Sequence, residues 1–144
     1  MDSYDIRREL RAQLLLIANI VNDLDQLTAA IDQEDPGDIR QAHIDALKAL
    51  ARRMLAVFNR LGELNRALKA LSVPANFFNN LNQLVSHMPQ AVKDFKGSID
   101  DAMRARHDFD ATLVQAVVNA MRDCQGWLNM MRTMFNLSQH LNII

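Results

Sequence analysis

Apolar residues recur along this chain at alternating steps of three and four, in four successive stretches of about thirty residues. In the first they are Leu10, Leu14, Ile17, Val21, Leu24 and Ile31, with Thr28 filling the remaining place. A mean step of 3.5 keeps one stripe of an α-helix turned toward a partner helix, whereas a strand repeats at two. Ile6, Ile20 and Leu27 add a second column beside the stripe. That width suits a helix in a bundle core better than a two-stranded coiled coil. The predicted helix runs from about Ser3 to Gln33, with Asp2 or Ser3 as its N-cap and Asp5 favourable in the first turn.

The second stretch holds the same spacing without a miss: Leu47, Leu50, Met54, Val57, Leu61, Leu64, Leu68 and Leu71, widened by Ile44, Ala51 and Phe58. Arg52, Arg66, Lys48 and Lys69 fall opposite, on the predicted solvent side. Asp35 reads as its N-cap and Pro36 as its first residue, where the missing N–H is not needed. Ser72-Val73-Pro74 ends it, because proline pushes the preceding residue out of the α region.

From Ala75 the register is Phe78, Leu81, Val85, Met88, Val92, Phe95, Ile99 and Ala102. It passes through Pro89 and Gly97, which predicts one axis kinked at Pro89, with a local break at Gly97-Ser98 as a variant. Charges at Arg106 and Asp110 stop it, so His107-Asp108 reads as a turn with Asp108 as the next N-cap. The fourth helix, about Phe109 to Leu141, has the seam Leu113, Val117, Ala120, Cys124, Trp127, Met131, Met134, Ser138 and Leu141. The competing arrangement joins residues 98–141 into one long helix.

Four rods of roughly 45–54 Å joined by short turns predict an all-α fold. The expected architecture is one domain spanning residues 1–144, an antiparallel up-down-up-down four-helix bundle. Four Gly and three Pro leave little material for an all-β alternative.

The net charge of −1 gives no global field for nucleic acid or an anionic membrane. The charge is unevenly distributed. Residues 1–35 carry eight acids and three bases, and residues 36–72 carry three acids and seven bases. Mutual attraction of neighbouring helices is the reading preferred for that asymmetry. The bases on the second helix, Arg52, Arg53, Arg60, Arg66 and Lys69, do not form one stripe with aromatics, so no nucleic-acid surface is expected. Leu14 to Ala18 is the longest aliphatic run, which predicts no membrane span. With the single Cys124 and no apolar core in MDSYDIRREL, a cytoplasmic protein is expected.

Catalytic and metal constellations are not evident. Di-iron bundles use Glu-x-x-His pairs, and none of Glu9, Glu34 or Glu63 has histidine three residues on. His43, His87, His107 and His140 form no pair at helical spacing. The acidic turn from Asp32 fails as a calcium loop, with Pro36 at position 5 and His43 at position 12. Cys124 lies on the core seam with no base near it in sequence and reads as a small hydrophobe. No enzyme activity, metal or cofactor is expected.

His43, in Ala42-His43-Ile44-Asp45-Ala46-Leu47-Lys48, resembles the reactive histidine of histidine-phosphotransfer domains, helical bundles of similar size. The resemblance implies a phosphoacceptor. Those domains usually carry lysine three residues on, where this chain has Ala46, with Lys48 two residues later. A seam histidine hydrogen-bonded near the bundle's end is the preferred reading.

The C-terminal helix is apolar over four of seven positions, a stripe near 200°, whereas one core face needs a little over about 100°. Leu128 and Phe135 flank the seam on one side, and Met130, Leu137 and Ile144 on the other. These five are the candidate docking residues, because methionine-rich apolar flanks suit adaptable interfaces. The functional expectation is therefore a non-enzymatic protein–protein interaction or assembly protein, homo-oligomeric or bound to a helical hetero-partner. The alternatives are the phosphotransfer module on His43 and a bundle binding an apolar small molecule near Trp127.

Overall fold

The computed structural model of the chain describes residues 2–33, 40–68, 74–108 and 110–141. They form four helices, α1 (Ser3–Asp32), α2 (Gln41–Ala67), α3 (Ala75–Asp108) and α4 (Ala111–His140), with no strand among the described residues. Expectations that fall on Asp35, Pro36, Lys69, Leu71, Phe109 and Ile144 lie outside those residues.

Local chemistry sets the helix starts. Asp2 sits in extended backbone and its carboxylate accepts the Asp5 N–H at 2.9 Å, satisfying one of the orphan donors of α1. The helix carrying the Leu47–Leu68 stripe begins at Gln41, after an extended Arg40. The Arg40 N–H donates to Nδ1 of His43 at 3.4 Å.

The cap of α4 is Asp110, where the sequence suggests Asp108. Asp110 accepts both the backbone N–H (2.9 Å) and the hydroxyl (2.6 Å) of Thr112. Asp108 remains the last residue of α3, with its carboxylate on His107. Asp110 wins because Thr112 supplies it with two donors in the first turn. The two bonds from Thr112 hold the Asp110 carboxyl below its ordinary range. Its stabilising effect is therefore present above the unfolded value near 3.8 and is lost as pH falls through the lower folded value. Asp110→Ala is expected to lower the melting temperature by a few degrees, and Asp110→Asn by less. Thermal scans from pH 7 into acid check this, since the gap between the native chain and the Asp110→Asn variant should narrow as pH falls below 3.8.

The α3–α4 break at Asp110 removes the single long helix over residues 98–141. Within α3 the chain is helical through both Pro89 and Gly97. Ser98 starts no new helix; it is buried and donates its hydroxyl to the Phe95 carbonyl at 2.6 Å.

Each helix packs against two others, α1 on α2 and α4, and α3 on α2 and α4. The core reaches across the diagonal, where Cys124 Sγ meets Met54 Sδ at 3.4 Å. Every stripe residue expected on α1 is buried, and so is every described one on α2. By length and composition α1 is also apolar enough to cross a membrane; Ile6, Leu10, Leu14, Ile17, Ile20, Val21, Leu24 and Ile31 are buried in this core, while Leu15 and Leu16 are exposed. Polar links join the helix edges: Arg53 to Asp23 (2.6 Å), Arg60 to Glu9 (3.2 Å), Arg122 to Asp32 (3.1 Å) and Arg106 to Gln41 (3.0 Å). The acidic first helix and the basic second one are thus neighbours. Exposed pairs of this kind each add little stability.

Two registers differ from expectation. At the start of α3 Phe77 is buried in place of Phe78, which is half-buried, as is Val85. On α4, Val117, Cys124, Met131 and Ser138 are buried as expected, but Met121, Leu128 and Phe135 complete the stripe. Ala120, Trp127 and Met134 are only half-buried, and Leu141 is exposed. The helix is turned by about one residue, roughly 100°, on that side of the seam. Leu128 and Phe135, both 0 % exposed, are therefore core residues and not docking residues. They are bulkier on average than Ala120 and its column, so this rotation puts more apolar volume inside.

Candidate binding groove between α3 and α4

With its core stripe occupied, α4 presents a second stripe outward. Ala116, Ala120, Asp123, Trp127, Met130 and Met134 follow one another at steps of four and three and line a groove against α3. The facing wall is Asn80, Leu84, His87, Ala91 and Asp94, again at steps of four and three. Buried Phe95 and Cys124 close the floor. The groove encloses about 900 Å³, near the upper end of the roughly 300–1,000 Å³ typical of ligand sites. It exists because alanines stand at 91, 116 and 120, where larger side chains would fill the space between the helices.

Trp127 is held at mid-groove by an edge contact with Phe58, ring centres 5.0 Å apart and planes at 88°. Its indole Nε1 is buried and has no hydrogen-bond partner among the described residues. The polar wall positions carry acids and amides. Asp94 accepts the Gln90 amide at 2.7 Å. Nothing among the described residues pairs with the Asp123 carboxylate. Among the described residues neither Lys nor Arg lines the groove, although the chain has sixteen of them. A smaller hollow of about 430 Å³ lies between α1 and α2, spanned by the Arg53–Asp23 pair.

The expected docking residues separate. Met130 is 63 % exposed and lies on the groove, and Leu137 is 58 % exposed on the same side of α4, seven residues on. Leu128 and Phe135 are in the core. Leu15 and Leu16 on α1 are also exposed, apart from this flank. His43 stands in the first turn of α2, half-buried, with Nδ1 receiving the Arg40 N–H. No group of three or more His, Cys, Asp or Glu able to hold a metal occurs among the described residues. Burial pushes the Cys124 thiol up to about 12, so it is protonated at neutral pH and is no nucleophile there. The α3 wall was missed from sequence because its positions are mostly polar. The signal that would have found it is the unused 80-84-87-91-94 spacing on a helix whose core stripe is elsewhere.

Comparison of the chain with known protein families, with curated proteins and with solved structures finds no match.

Proposed function

We propose that the protein is a non-enzymatic, cytoplasmic interaction module, an adaptor or structural subunit, that binds a protein partner through the outer flank of α4. One observation carries this reading. Met130 and Leu137 remain open to solvent on a helix whose own core stripe is already filled by Leu128, Met131 and Phe135. Large apolar side chains at seven-residue spacing form a ridge, and Trp127, Met134 and Leu141 broaden it.

The packing proposed with it is an up-down-up-down, antiparallel bundle with heptad seams and a bend at Pro89. Its support is the order of the cross-links. Asn65 meets Asn82 while Gln41 meets Arg106, so α2 positions rise as their α3 partners fall. Glu9–Arg60 and Asp23–Arg53 do the same between α1 and α2.

The double change Met130→Lys and Leu137→Asp tests the docking flank. Association, measured as mass in solution or as partner retained from native extract, should fall at least tenfold. Helicity and cooperative unfolding should be nearly unchanged, since both side chains are exposed. An unmodified chain that stays monomeric at high concentration and retains nothing would sink the reading. So would a double mutant that fails to fold.

The groove volume and Trp127 favour a second reading, an apolar small molecule bound at that site. An apolar dye that quenches Trp127 and saturates at one per chain would support it. No observation favours His43 as a phosphoacceptor over its place in the first turn of α2.

A further inference from the structure

We propose that the α3–α4 groove receives an amphipathic helix of a partner protein, apolar along one ridge and carrying Lys or Arg beside it. This rests on the docking reading above and names the partner's chemistry. Three features point to it.

The first is spacing. Both walls advance at steps of four and three, the spacing with which one helix meets another. A groove walled by two such rows accepts a third helix along its length, a common mode of peptide recognition. The second is length. The α4 wall from Ala116 to Met134 is nineteen residues, eighteen steps of 1.5 Å or about 27 Å. A compact ligand would engage only part of it; a partner helix of about five turns would engage it all.

The third is charge. Asp94 and Asp123 stand on opposite walls, and no Lys or Arg among the described residues lines the groove. Each lies fourteen or fifteen residues from Phe109, so a hairpin of α3 and α4 sets them at one level. A helix with basic residues at its flanks would complement both, and an acidic one would be repelled. A second copy of this chain docking by its own α4 flank would bring Asp123 toward these carboxylates, which disfavours self-pairing here.

Trp127, the chain's single tryptophan, reports on the groove directly. The full chain is titrated with two synthetic helical peptides of about eighteen residues. Both carry leucine at steps of three and four; one has lysine beside that ridge, the other glutamate. The lysine peptide should shift Trp127 emission to shorter wavelength and saturate at one per chain. It should bind about tenfold tighter than the glutamate peptide, the sum expected of two rim pairs. Asp94→Asn with Asp123→Asn should bring the two within about twofold. Ala120→Phe should block both while circular dichroism stays helical.

Equal binding of the two peptides would overturn the basic partner and leave the docking reading standing. Binding by neither, together with self-association abolished by Met130→Lys and Leu137→Asp, would overturn it in favour of a second copy. Binding by neither, with no association of any kind, would remove both readings.

Discussion

Phe135→Ala is expected to destabilise the protein by about 3–5 kcal/mol, the range for removing a fully buried aromatic ring. Phe135 is 0 % exposed and meets Phe77 edge to face, ring centres 6.5 Å apart. Its loss leaves a void between α3 and α4 that surrounding helices can close only in part. Urea unfolding followed by circular dichroism gives the number, and an unchanged denaturant slope would show that the unfolded state is not what moved. Met130→Ala in the same experiment should stay within about 0.5 kcal/mol, as an exposed position does. The contrast decides the register of α4. If Phe135→Ala cost less than about 1 kcal/mol and Trp127→Ala cost several, the core stripe would run through Ala120, Trp127 and Met134 instead.

That register marks the boundary of what could be read from the residues alone. The core stripes of α1 and α2 were legible almost position by position because each is a single apolar band, and the apolar residues outside it, Leu15, Leu16 and Leu55, do not continue at helical spacing. Arg52 and Arg66 leave Leu47, Met54 and Leu61 a single direction in which to face. On α4 the apolar arc is twice as wide as one core face, so two seams one residue apart both satisfy the spacing. Helical periodicity cannot rank them. The choice depends on which column packs against Phe77, Met54 and the other helices, and that is tertiary information. The same holds for Phe77 and Phe78, adjacent aromatics of which one can be central. At the turn before α4 the sequence pointed to Asp108 alone, and the cap is Asp110 because the threonine two residues on gives its carboxylate two donors.

The groove was less legible still. Met130 and Leu137 stood out because they are large and apolar. Ala91 and Ala120 matter for the volume they lack, and Asp94 and Asp123 matter only once two helices bring them to one groove. Apart from the second 3-4 column that holds Ala91 and Asp94 on α3, no property of either helix alone distinguishes these residues from ordinary surface positions. The alanines would read as helix formers and the aspartates as solvated charges.

The largest expected pH effect belongs to Cys124. Its thiol is buried beside Met54, and loss of water around the charged form pushes its value from 9.0 up to about 12. Below about pH 9 the thiol is protonated in both folded and unfolded chains and has no influence on stability. Between 9 and 12 the unfolded chain releases the proton while the folded chain retains it. The unfolded state is favoured increasingly, so stability falls as pH rises. The loss is about 1.4 kcal/mol per pH unit across that window, on the order of 4 kcal/mol when complete. Lysine and tyrosine titration falls in the same range, so the measurement is a difference. Unfolding free energies of the native chain and of Cys124→Ala are compared from about pH 7 to 11. The small cavity in the variant contributes a constant offset, and the two profiles should run parallel up to about pH 8 and converge above about 9. Profiles that stay parallel to about pH 11 would mean the thiolate is solvated in the folded protein. Cys124 would then be reached by water through the floor of the α3–α4 groove, and a thiol reagent would label it without unfolding.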